Sequence, residues 1–343
     1  MNARTETDLC YLPRSEVVAL CRELDVVGLV TRVLKAHSEG ATTLPEEAYL
    51  PWYAGDGSFA RSLALPGAAR LDRPALGIKI INSCLGNPDR GLPRAQGLTL
   101  VFDPDRAHPV GLMEAAHISA MRTAAYTVAS ARVLAVAAPT RMAVIGAGAL
   151  GEEHVRALAA EWPAAEFTLF DLHAQRVREL GDRLRADGFT VSEADNAQAA
   201  VRAAQIVVTA TTTTASYLPY AWLSPGALVA HVSLDDVFPD VVERADLVLV
   251  DDWNLVAADD RRLLGRMYRA GTAAAPGTAA SAGGARVVDG SLGDILVGRH
   301  RGRTDDAQII LSNPFGMGIL DIVIAEEVLH RARAVGAGLR LPV

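Results

Sequence analysis

Between Val144 and Asp171 the chain sets out an apolar run, the glycine-rich turn Gly146-Ala147-Gly148-Ala149-Leu150-Gly151, a helical pattern, and an acidic residue closing a second apolar run, Phe167 to Phe170. Each glycine has its own task. The first permits a tight exit from a strand, the second lets bare backbone approach a pyrophosphate, and the third lets the following helix pack close to the strand. A helix opening at Ala149 offers unpaired N–H groups and a positive dipole end to a diphosphate, and Asp171 stands where a carboxylate accepts the adenosine ribose hydroxyls. The spacing therefore predicts a dinucleotide site formed by Gly146, Gly148, Ala149, Leu150, Gly151 and Asp171. A 2′-phosphate beside Asp171 would meet like charge, and Leu172 and His173 bring no arginine to offset it, so NAD is favoured over NADP.

At 343 residues the chain exceeds what one hydrophobic core usually supports, so two domains are expected. From Arg141 to about Asp252, strand-like runs at Met142–Ile145, Phe167–Phe170, Ile206–Ala210, Leu228–Val232 and Leu247–Val250 alternate with helical patterns after Gly148 and over Ala174–Asp187. Such alternation means a parallel sheet with right-handed crossovers. Ahead of it, Arg14–Gly40 reads as one helix with Ser15 as N-cap, and Ser62–Leu65, Leu76–Ile81 and Gly97–Phe102 read as antiparallel strands between Pro/Gly turns. Leu112–Ala138 is Ala-rich and helical in period until Pro139, and is the expected connection between domains. Leu320–Ala337 reads as an amphipathic helix, and Thr272–Ala285 as an uncharged surface loop, with a lid over the nucleotide as the sharper alternative. The expected fold is α/β: a Rossmann-type parallel-sheet NAD domain over residues 129–304, and an α+β substrate-binding and dimerisation domain over 1–128 and 305–343.

Charge and composition exclude several functions. A net charge of −7 without any dense Lys/Arg block argues against nucleic acid or an anionic membrane as partner, and leaves a small molecule. Cys10, Cys21 and Cys84 form neither a C-x-x-C pair nor an even set, so a reducing cytoplasm is expected and no metal. Met1–Asp8 lacks the apolar segment of a secretory signal. Ala203–Leu234 carries no charged residue and is long enough to span a bilayer, but the threonines at 211–214, Pro219, Pro225 and Gly226 favour two buried parallel strands.

Together with the glycine turn, Gly77-Ile78-Lys79-Ile80-Ile81, the run from Gly86-Asn87 to Gly91-Leu92-Pro93-Arg94-Ala95, the block from Leu112-Met113-Glu114 to Arg122-Thr123-Ala124-Ala125, and Gly290-Ser291-Leu292-Gly293-Asp294-Ile295-Leu296 make almost the whole chain resemble the ornithine cyclodeaminase/mu-crystallin family. Asn82–Asn87, Glu114–Ser119 and Ser312–Asp321 look most like its 2,3-diaminopropionate-biosynthesis branch. The resemblance implies transfer of hydride from an amino-acid α-carbon to nicotinamide. In that branch, N-[(2S)-2-amino-2-carboxyethyl]-L-glutamate is oxidised and its imine hydrolysed for a specialised metabolite. It also implies a homodimer built through the N-terminal strands. Within the family, ornithine cyclodeaminase, imine reductase, alanine dehydrogenase and mu-crystallin-like binding proteins are the alternatives.

The chemistry asks for cationic clamps on carboxylates, a group to take the amine proton, and an acid/base for the imine. Arg122 is the first clamp, because a planar guanidinium matches a carboxylate in bidentate fashion. By similarity to the family, Arg61 is a second clamp and Arg94 a further one. Lys79 lies in an apolar strand with Ile78 and Ile80 on the opposite face, so its head must find a polar pocket; beside the cationic nicotinamide its pKa would be depressed, and it could bind and polarise the substrate carboxylate or move the amine proton. Asp236 follows the strand Leu228–Val232 and resembles the family's acid/base, with adjacent Asp235 left open. Thr209 and Thr211, in the run Thr209–Thr214, are expected either to touch the nicotinamide ribose or to form a polar turn; Thr123 and Ser233 are expected to face the cofactor, and by similarity to the family Ser291, Gly293 and Asp294 belong to a cofactor-facing turn.

Overall fold

The computed structural model describes residues 8–279 and 284–342, and its contacts divide into two units, Met1–Arg122 with Met317–Val343, and Thr123–Gly316. Residues 1–7, on which the reading of the N-terminus rests, and 280–283, inside the expected Thr272–Ala285 loop, lie outside the described residues.

In the first unit β1 (Leu9–Leu12) leads into α1 (Arg14–Cys21) and α2 (Val26–Ser38). Then come β2 (Thr42–Thr43), β3 (Ala48–Tyr53), β4 (Phe59–Ala69), β5 (Ala75–Cys84), β6 (Ala95–Phe102), β7 (Pro109–Glu114) and α3 (Ala116–Leu134). The sheet order is Leu339–Leu341, β1, β7, β6, β5, β4, β2, with β3 also paired to β4; β1 and β7 are parallel and every other pair is antiparallel. Along β5, Ala75, Gly77 and Lys79 are buried while Leu76, Ile78 and Ile80 are half-buried, the period of two that a half-covered strand requires. The C-terminal helix Gly318–Val335 packs on β4, β5 and β6 and covers the face that includes Lys79.

Three expectations change here. The helix expected over Arg14–Gly40 is two helices, because Asp25 accepts the Gly28 N–H and caps a new start; Ser15 is no cap, since α1 already begins at Arg14 after Pro13. Leu112–Glu114 is strand, not helix, and Glu114 accepts the N–H groups of Ala116 and His117 to open α3. The C-terminal helix is not amphipathic over its first half: every residue from Gly318 to Ala325 is buried.

In the second unit, β8 (Arg141–Ile145), α4 (Ala149–Glu161), β9 (Glu166–Phe170), α5 (Ala174–Ala186), β10 (Thr190–Glu193), β11 (Ile206–Thr209), β12 (Leu228–His231) and β13 (Leu247–Val250) follow the expected alternation. The small pair β14 (Ala273–Ala274) and β15 (Arg286–Val287) comes next, then β16 (Gly290–Ser291) and β17 (Ile310–Ser312). The main sheet runs β10-β9-β8-β11-β12-β17-β13-β16 and is parallel throughout. Strand order reverses between β8 and β11, and in open α/β sheets ligands bind outside the carboxyl ends of the strands at such a point. Because β17 inserts between β12 and β13, this unit extends to Gly316 instead of ending at residue 304; its N-terminal edge falls at Thr123 within α3. Ala203–Leu234 holds β11, a single 3-10 turn at Tyr220–Trp222 and β12, and no helix among the described residues is long and apolar enough to cross a membrane.

Ile310 is fully buried between two neighbouring strands. Ile310→Ala should lower unfolding free energy by about 2–5 kcal/mol in denaturant titration, as deletions at well-packed core positions do; a loss well under 1 kcal/mol would contradict a central β17.

Candidate functional site

The dinucleotide turn has the geometry its glycines predict. Gly146 sits at φ 109°, and a Cβ there would meet Ala210 O at 2.6 Å; a Cβ on Gly151 would meet Gly146 O at 2.0 Å. Both must be glycine for the chain to close. Gly148 is different: its φ of −92° and ψ of −175° suit any residue, and a Cβ there would meet nothing within 4 Å. Only a ligand passing close to the backbone asks for glycine there, and Gly148 is also the N-cap of α4, with no side chain bonded to the helix's opening N–H groups. Asp171 accepts the Ala147 N–H at 2.9 Å through Oδ2 and the His173 N–H at 2.9 Å through Oδ1, which fixes the carboxylate and leaves further lone pairs for ribose hydroxyls. These residues fit a bound NAD.

In the first unit, Lys79 is 2 % exposed and its Nζ lies 2.8 Å from Oδ1 of Asp321, a carboxylate with no exposure at all. Arg122 Nε lies 3.0 Å from Oδ2 of the same group. Lys79 also donates to Ser119 Oγ at 2.8 Å. Burial pushes the Lys79 pKa down, Asp321 pulls it back and Arg122 opposes it again, leaving it at about 8. Antiparallel register carries the same face further, because Lys79 stands opposite Leu65, and Ser83 opposite Arg61. Arg94, next to β6, donates to Ser83 Oγ at 2.8 Å, and burial followed by the nearby Arg61 charge lowers its pKa. Among the described residues neither Arg61 nor Arg94 forms an ion pair with a carboxylate. Face and register thus bring Lys79, Arg122, Arg61 and Arg94 to one side of one sheet.

In the second unit, Asp236 is fully buried and both its oxygens are engaged. Oδ1 accepts from Thr211 at 2.7 Å and Tyr217 at 2.9 Å, Oδ2 accepts from Ser233, and His231 Nε2 lies 3.6 Å from Oδ2. Burial pushes the Asp236 carboxyl up, but contact with His231 and the hydroxyls of Ser233 and Thr211 outweighs it and holds the group below the ordinary carboxylate range. Tyr217 is driven the other way by burial and by Asp236, so it keeps its proton. Its backbone is tied to the same place, since the N–H groups of Tyr217 and Leu218 both donate to Asp236 O. Asp235 pairs with Arg266 at 2.6 Å and stands outside this cluster.

Several expected cofactor contacts are used otherwise. Thr209 is fully buried and Ser233 nearly so, and Ser233 Oγ bonds the oxygens of Thr209, making the pair supports of Asp236. Ser291 forms a capping box with Asp294 at the helix Leu292–Leu296, and Gly293 is buried within it, so the cofactor-facing turn is in the first place a helix start. Thr123 is half-buried on α3 beside Arg122.

Residues 10–336 match the model of the ornithine cyclodeaminase/mu-crystallin family. The chain belongs to that family. It is similar to the N-((2S)-2-amino-2-carboxyethyl)-L-glutamate dehydrogenase of Staphylococcus aureus strain NCTC 8325 / PS 47, with 30% identity over 341 residues, 97% of this chain and 98% of the relative. The crystal structure of CmnK is 40% identical and superposes with a TM-score of 0.90 over 98% of each chain. The Δ1-pyrroline-2-carboxylate reductase of Thermococcus litoralis, solved with NADH and L-proline, shares the fold at 22% identity and a TM-score of 0.84, over 97% of this chain and 100% of that one.

Sequence reasoning missed Asp321, Tyr217 and His231. A signal for Asp321 was present: it is the only charged residue between Asp306 and Glu326, and a lone carboxylate in an apolar helix must be paired. Since none of the described residues occupies the space a Cβ on Gly148 would fill, Gly148→Ala should leave the thermal midpoint of the cofactor-free protein nearly unchanged and weaken NAD binding about tenfold or more, an effect of about 1.4 kcal/mol. Calorimetric titration with NAD checks this, and unchanged affinity would contradict the site.

Proposed function

We propose that this family member is an NAD-dependent dehydrogenase that converts N-[(2S)-2-amino-2-carboxyethyl]-L-glutamate, NAD+ and water to 2-oxoglutarate, L-2,3-diaminopropionate and NADH. Membership makes the chain an NAD-dependent oxidoreductase or cyclodeaminase of amino-acid metabolism. The observation that carries the finer reading is the charge of the face around Lys79. Asp321 offsets only one of Lys79 and Arg122, while Arg61 and Arg94 have no carboxylate of their own among the described residues. A substrate with several carboxylates is attracted there; ornithine, whose side chain ends in a cation, is repelled.

Bound NAD supplies the hydride acceptor. Arg122, whose Nε faces Asp321, offers its terminal nitrogens to a substrate carboxylate, and Arg61 and Arg94 take another. Lys79 in its neutral form removes the proton from the substrate's secondary ammonium, freeing the lone pair that drives hydride off the glutamyl α-carbon. The resulting iminium is attacked by water at that carbon, and the C–N bond breaks to release the diamine. Asp236 is ionised and poor as an acid, but it can draw a proton from that water through the hydroxyl of Tyr217 or Thr211, each already donating to it. The uncovered face of the first sheet, where Leu50, Trp52 and Leu98 are exposed, supports a homodimer.

Incubation of the purified protein with NAD+ and the aminocarboxyethyl-glutamate should give NADH absorbance with stoichiometric 2-oxoglutarate and diaminopropionate. Ornithine turning into proline and ammonia without net NADH would replace this reading by a cyclodeaminase. Arg94→Ala should raise KM about tenfold with kcat nearly kept, the mark of binding lost equally from ground and transition states. The pH profile has a definite sign: Lys79 must be neutral to accept the proton, so kcat/KM for oxidation rises with pH through an inflection near 8 and falls on the acid side. A flat profile between pH 6 and 9 would contradict Lys79 as proton acceptor.

A further inference from the structure

Asp321 sits in the first turn of the helix Gly318–Val335, where the positive end of the helix dipole favours a carboxylate. The helix meets the sheet closely: a Cβ at Gly318 would lie 2.6 Å from the Leu65 Cβ, so glycine there lets a side chain as short as aspartate come within ion-pair distance of β5. Its two oxygens are divided, one to Lys79 at 2.8 Å and the other to Arg122 at 3.0 Å. Charge at short range ties the three groups together. Both cations come from elements distant in sequence from the helix, Lys79 from β5 and Arg122 from α3.

We propose that Asp321 is a positioning residue that holds the proton-carrying lysine and the carboxylate-clamping arginine in fixed register on opposite oxygens of one buried carboxylate. The proposal rests on the roles given above to Lys79 and Arg122. The groups acting on Lys79 are Asp321 from the C-terminal helix, Arg122 and the Ser119 hydroxyl from α3, and Glu47 ahead of β3. Asp321 and Glu47 favour the ammonium; burial and Arg122 oppose it. Loss of the Asp321 charge therefore moves the Lys79 titration to lower pH and frees Arg122 to turn.

The chain has only two lysines, Lys35 and Lys79, and Lys35 is exposed, so carbon NMR of protein labelled at the lysine Cε carbons reads Lys79 directly beside an internal reference, without any turnover. In Asp321→Asn the Lys79 midpoint should fall by about one pH unit or more from its value near 8, a tenfold or greater change in proton affinity. The alkaline rise of kcat/KM should move by the same amount, and KM should increase about tenfold. An unmoved midpoint in a folded variant that still binds NAD would overturn the proposal. If Asp321→Asn does not fold, Asp321→Glu carries the test: the charge is kept but displaced, so Lys79 should titrate near its original midpoint while kcat/KM falls at least tenfold, and wild-type kinetics would refute a positioning role. Because the NMR titration needs no substrate, a wrong substrate and a wrong role for Asp321 are told apart.

Discussion

An ammonium and a guanidinium are withdrawn from water in the first unit and share one buried carboxylate, and the proposed chemistry depends on that arrangement. Taking charges out of water is expensive, and removing one partner of such a group commonly costs about 3–5 kcal/mol because the others stay buried without compensation. The sheet and the C-terminal helix therefore have to meet closely enough for Asp321 to reach both cations. Once they do, burial lowers the lysine until it can give and take a proton near neutral pH, which an exposed lysine does poorly.

The second unit treats a carboxylate in the opposite way. Asp236 is as deeply buried as Asp321, yet hydroxyls and a histidine surround it, and they hold it ionised. In the proposed reaction it works through neighbours that keep their protons, above all Tyr217, whose segment is bound to the Asp236 backbone as well as to its side chain. The resemblance implied an acid/base aspartate, and in the proposed reaction Asp236 fills that role as an anion relayed through hydroxyl groups.

What the sequence revealed follows the range of the physics involved. The nucleotide turn depends on local backbone freedom and close contact, so Gly146, Gly148 and Gly151 were legible from spacing, as were the strands that lead into it. Lys79 announced itself as a charge in an apolar strand. Asp321 did not, because its meaning comes from a pairing between segments far apart in the chain, although its isolation among apolar residues was visible. Two short features defeated periodicity: β17, a three-residue strand whose place between β12 and β13 moves the domain edge, and Asp25, whose capping bond splits one expected helix in two. The direction of the Ser233 hydroxyl, toward Asp236 and Thr209, is a tertiary fact that no local pattern carries.

In the proposed reaction, hydride leaves the glutamyl α-carbon of an amino acid held through several carboxylates. Its most direct test uses N-[(2S)-2-amino-2-carboxyethyl]-L-glutamate carrying deuterium at that carbon. Deuterium should appear at C4 of the nicotinamide in the NADH formed, together with unlabelled diaminopropionate. Retention of the label in unreacted substrate, while ornithine is consumed under the same conditions, would contradict it.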